Sequence, residues 1–95
     1  MRPMLTAALC LLPVMAVAEN PMCAPTGEIV ALAVEARKSG EEAPAAITAI
    51  TAEMTGDMST YAPAVQPLVD WVYSLDEAQL AEDVAGSYVT QCEAQ

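Results

Sequence analysis

Two cysteines, Cys23 and Cys92, stand at opposite ends of the stretch that can fold, and they constrain its shape more than any other feature. A third, Cys10, lies in a segment that reads as a secretory leader. Arg2 is followed by an apolar run from Leu5 to Val17, and Ala16-Val17-Ala18 is a small-x-small exit of the kind signal peptidase accepts. The run is too short to cross a bilayer, which takes roughly 20 apolar residues as a helix, and Pro13 interrupts it. Cleavage is therefore expected after Ala18, with 1–18 as signal peptide and 19–95 as a single domain. Removing Cys10 leaves an even pair in an oxidising compartment, so a Cys23–Cys92 disulfide is expected. Such a bridge closes a loop of about 70 residues and contributes on the order of 4 kcal/mol in the chain-entropy model. A chain this short buries a modest core and needs such a staple.

The rest of the pattern is helical. Ile29, Leu32, Ala33 and Ala36 keep the spacing of one helix face over about Thr26 to Ser39. Pro25 or Thr26 can open that helix, Glu28 suits its positive end, Arg37-Lys38 suit its last turn, and Gly40 supplies a left-handed stop. A second helix starts near Pro44 and ends at Gly56, with Ala46, Ile47, Ile50 and Met54 on its apolar face. A third carries Val65, Leu68, Val69 and Val72. Pro63 and Pro67 cannot both sit inside it, which puts its regular part at about Ala64 to Tyr73. A fourth opens on Ser74-Leu75-Asp76-Glu77, read as a capping box of Ser74 and Glu77, and runs along Ala81, Val84, Ala85, Tyr88 and Cys92. Gly86 interrupts that face, a cost expected to be offset by close approach of a neighbouring helix. The fold class is all-α: a small bundle of about four short helices in up-and-down order, closed by one disulfide between the chain ends.

Composition narrows the chemistry. Thirteen acids against three bases give a formal charge of -10, which excludes a basic nucleic-acid binder. The chain has no histidine, so neither Ser-His-Asp nor Cys-His catalysis is available to it. The cysteines are too far apart for a Cys-x-x-Cys redox motif. Glu41-Glu42, Asp76-Glu77 and Glu82-Asp83 are acidic pairs without the alternating spacing and glycine of a calcium loop, and they read as solvated or helix-capping groups. Met54, Met58 and Met22 could offer thioether sulfur to cuprous ion, but Gly56 divides the closest two, and packing is the favoured role. No catalytic, metal or cofactor site is expected. Trp71, Tyr73 and Tyr61 carry most of the aromatic surface. Exposed beside an acidic surface, Trp71 and Tyr73 would form a contact patch for a basic protein partner. The competing and favoured expectation, in a chain without Phe, is that Trp71 fills the core.

Cys23, the helix ending Ala36-Arg37-Lys38-Ser39-Gly40, the run Trp71-Val72-Tyr73, and Tyr88 with Cys92 together resemble small exported bacterial two-cysteine helical proteins of uncharacterised function. That resemblance implies a helical, disulfide-closed fold and brings no catalytic residues. A weaker likeness is to the HdeA-type periplasmic acid-stress chaperones, also small, helical, exported and held by one disulfide, although this chain lacks their lysine-rich ends. The leading expectation is a non-enzymatic exported protein, periplasmic or secreted, that binds another protein, with no nucleic-acid partner and no membrane anchor once the signal is removed. The alternative is an acid-activated periplasmic holdase chaperone, in which protonated carboxylates loosen the bundle and expose apolar surface.

Overall fold

The computed structural model describes residues 20–95. The expected signal peptide and its cleavage after Ala18 lie outside the described residues. Within them the chain forms four α-helices: α1 (Cys23–Lys38), α2 (Ala43–Ala52), α3 (Val65–Tyr73) and α4 (Val84–Glu93). Gly56–Ala64 and Glu77–Ala81 are 3-10 turns, and no strand is present among the described residues. The all-α bundle closed by one disulfide is thus the observed fold.

The end of α1 follows from its sequence. Gly40 takes a positive φ of 90°, its N–H donates to the Arg37 carbonyl at 3.1 Å, and the Glu41 N–H donates to the Ala36 carbonyl at 3.0 Å. These two bonds form a Schellman motif and satisfy carbonyls that the helix leaves open. The start differs from expectation. α1 begins at Cys23, three residues before Thr26, because Pro25 falls in the first turn, where its missing N–H costs no helical bond. Glu28 accordingly lies beyond the first turn, and the dipole role expected of it is lost.

Most of the expected apolar faces of α2 and α3 are buried, with Ile47 and Leu68 only half-buried against the core. Ala46, Ile50 and Met54 are buried on and just after α2, and Val65, Val69 and Val72 on α3 are fully buried. Pro63 is absorbed by the 3-10 turn before α3, and Pro67 occupies the first turn of α3, which resolves the conflict between them. On α1 the buried stripe is Thr26, Ile29, Val30 and Ala33, so Val30 takes a place expected of Leu32 and Ala36, which are half-buried.

The fourth segment is not one helix. Its expected Ser74–Glu77 capping box does not form, because the Ser74 hydroxyl donates instead to the Trp71 carbonyl at 2.6 Å, closing the end of α3. The box is shifted two residues, to Asp76 and Gln79, where Gln79 Oε1 accepts the Asp76 N–H at 2.9 Å. The turn it caps ends at Ala81, and α4 then starts afresh with Asp83 as N-cap, its Oδ1 accepting the Gly86 N–H at 2.9 Å. A side chain at Gly86 would run into the Asp83 carboxylate rather than a neighbouring helix. Gly86 therefore preserves a cap. The close helix approach lies at Gly27 of α1, whose missing Cβ makes room for Val89 of α4.

α1 is the shared wall, packing against α2, α3 and α4. α4 runs antiparallel to it, as three cross-links show: Cys23 to Cys92, Thr26 to Tyr88, and Gly27 to Val89. The Cys23–Cys92 disulfide joins residues 69 apart in sequence with Cα atoms 5.7 Å apart. Beside it the buried Thr26 hydroxyl donates to the Met22 carbonyl at 2.6 Å and accepts from the Tyr88 phenol at 3.1 Å, so the polar atom carried inside is fully engaged. The large fully buried side chains are Ile29, Val30, Val65, Val69 and Val72. Ala33 and Ala46 are buried with them, and among the described residues no aromatic ring is fully buried in the core.

Candidate interaction surface at Trp71

Trp71 is 40% exposed, one of two large hydrophobic side chains in that state among the described residues, the other being Met22. The favoured expectation that Trp71 fills the core is therefore corrected. Val65, Val69 and Val72 occupy the face of α3 that meets the bundle, and Trp71 stands about 100° around the helix from Val72. Trp71 leans toward α4, with its ring centroid 6.1 Å from that of Tyr88 and the planes tilted by 47°.

Between Trp71 and the start of α4 lies a shallow depression of about 120 Å³, lined by Trp71, Leu75, Gln79, Glu82, Val84 and Ser87. Local structure sets each of these. Leu75 follows Trp71 by four residues, on the same side of the chain as it leaves α3. The capping box holds Gln79. The break between the 3-10 turn and α4 brings Glu82 and Val84 to the rim, with Val84 itself in the core. An exposed indole with two aliphatic neighbours and a carboxylate is suited to recognition: apolar contact area with one charge to orient it.

Tyr73 is not part of this surface. Two residues past Trp71 on a helix, it points to a different side, where its hydroxyl donates to the Glu41 carbonyl at 2.8 Å and the Arg37 guanidinium lies 6.0 Å from its ring. Partial burial pushes its phenol above the usual value of 10.0, with Glu41 adding to the rise and Arg37 opposing it. Arg37 Nη1 also donates to the Val72 carbonyl at 2.7 Å, capping the end of α3 from α1. This polar cluster fastens the α1–α2 corner to the end of α3. Trp71 and Tyr73, paired as candidates, thus divide into an exposed residue and one held in a structural polar cluster.

The acidic pairs also separate. Asp76 and Asp83 serve as caps, and Glu82 lines the Trp71 depression. Glu41 borders a different hollow between α1 and α2 with Glu35 and Glu53. Among the described residues no group of three or more acidic or cysteine side chains is placed to hold a metal ion. Met54 is buried in the core, Met58 half-buried against it, and Met22 exposed. No helix among the described residues is long and apolar enough to cross a membrane.

Comparison with family models, curated proteins and solved structures finds no match to this chain.

Proposed function

We propose that this is a non-enzymatic exported protein whose work is to bind another protein, with Trp71 as the central contact residue. The observation that carries this is the 40% exposure of the one tryptophan in the chain, fixed against Tyr88 and open onto a depression. Tryptophan is the side chain most enriched at energetically dominant interface positions, and leaving it in water is unfavourable unless a partner covers it. The frame beneath it is covalently closed by Cys23–Cys92, which restricts large-scale opening of the chain. The leader-like sequence of 1–18 and the disulfide, a bond that persists in oxidising compartments, support export.

The test is capture by crosslinking in envelope and culture-medium extracts, at neutral pH and in acid, with wild type and Trp71→Ala side by side. A defined protein crosslinked by wild type at neutral pH and lost with Trp71→Ala supports the proposal. Equal capture by both removes Trp71 from the contact. Capture of many unrelated proteins in acid only would replace the proposal with acid-activated holdase activity.

A further inference from the structure

We propose that the Trp71 depression receives a cationic side chain, arginine or lysine, from the partner protein, with its charged head between the indole and Glu82 and its stem against Leu75 and Val84. This rests on the reading of Trp71 as the contact residue and names the chemistry it selects. Three observations carry it. Trp71 and Glu82 line the same depression, so an indole and a carboxylate border the space that one side chain would occupy. A cation over an indole is attracted by the ring, and more strongly when partly desolvated. Leu75 and Val84 supply aliphatic walls, which suit the methylene stem of a long basic side chain better than a compact polar group.

The surroundings favour the same charge. From Ser39 to Gln95 the chain has no lysine or arginine, whereas the α3–α4 half carries Asp70, Asp76, Glu77, Glu82, Asp83 and Glu93. An approaching basic segment meets a predominantly negative field there, which speeds association and disfavours acidic partners. Of the two bases in the described residues, Arg37 is engaged with the Val72 carbonyl and the Tyr73 ring. Lys38 borders a neighbouring hollow that Glu82 and Asp83 also line, where it partly offsets their charge. Lys38 therefore opposes the proposed ligand, and removing its charge should tighten binding.

The experiment is selection of peptides from a random display library on the disulfide-bonded protein, with Trp71→Ala as counter-selection. Both proteins are first checked for equal helicity by circular dichroism, and Trp71→Gln replaces the alanine variant if that one unfolds. The expected result is a set of Trp71-dependent peptides enriched in arginine or lysine and depleted in acids. For a representative peptide, followed by the fluorescence of the single tryptophan, changing its basic residue to glutamine should weaken binding about tenfold. Glu82→Gln should weaken it about threefold and Lys38→Gln should strengthen it, with both effects shrinking as salt is raised. Trp71-dependent peptides that are uncharged or acidic, or that ignore Glu82→Gln, overturn the cationic specificity while leaving Trp71 as the contact. Failure to select any Trp71-dependent peptide overturns both.

Discussion

Replacing Arg37 with alanine tests whether the bundle is held at its second end as well as at the disulfide. The guanidinium donates to the Val72 carbonyl at 2.7 Å and lies 6.0 Å from the Tyr73 ring. A hydrogen bond from a charged donor contributes about 1.5–3 kcal/mol when its partner is left short. The Val72 carbonyl also accepts the Leu75 N–H at 3.2 Å, so the lower end of that range applies. The cation–ring contact adds about 0.5–1 kcal/mol at a partly exposed site. The expected loss is about 2 kcal/mol, which for a domain of this size lowers the melting midpoint by about 10 °C. Arg37→Lys should recover roughly half of the loss, since an ammonium keeps the charge but not the planar fork. Urea titration and thermal melts followed by far-ultraviolet circular dichroism on the oxidised protein measure it. A loss below about 0.5 kcal/mol, the range of ordinary surface substitutions, would refute the role given to Arg37.

Three further outcomes are expected. Cys23→Ala with Cys92→Ala removes a bridge between residues 69 apart and should cost about 4 kcal/mol, read as a drop in the urea midpoint that reduction of wild type reproduces. Gly27→Val places a branched side chain against Val89 and should destabilise by about 1–3 kcal/mol, and adding Val89→Ala should return part of it in a double-mutant cycle. The Tyr73 phenol has its folded-state pKa raised above 10.0, so the unfolded chain ionises first. That contribution is full below pH 10.0 and is lost as pH rises through the folded value; Tyr73→Phe should flatten this part of an alkaline stability profile.

Features that depend on neighbours in sequence were legible, and those that depend on neighbours in space were not. Gly40 announced the end of α1 because a left-handed residue after a helical stripe has few other uses. Pro63 and Pro67 located the start of α3 because ring and missing N–H act locally. The cysteine pair was found by counting, with the leader removing the odd member. The fourth segment misled because Ser74, Asp76 and Asp83 are all competent caps, and only the end of α3 decided that Ser74 would turn back to Trp71. Gly27 carried no visible signal, since its reason is Val89, 62 residues away. For Trp71 the absence of Phe pointed inward, whereas its exposure depends on how the valine face of α3 meets the bundle. Gln79, Glu82, Val84 and Ser87 join it only through the break before α4.

The Cys23–Cys92 bond turns most of the folded chain into a covalent ring. Tension applied outside the ring is carried by the sulfur–sulfur bond and does not reach the helices. A narrow translocation pore or an unfolding protease that admits one extended strand must therefore either accept two strands together or wait for a reductant. Passage of this protein as a single strand is thus governed by thiol chemistry as well as by the strength of its small core.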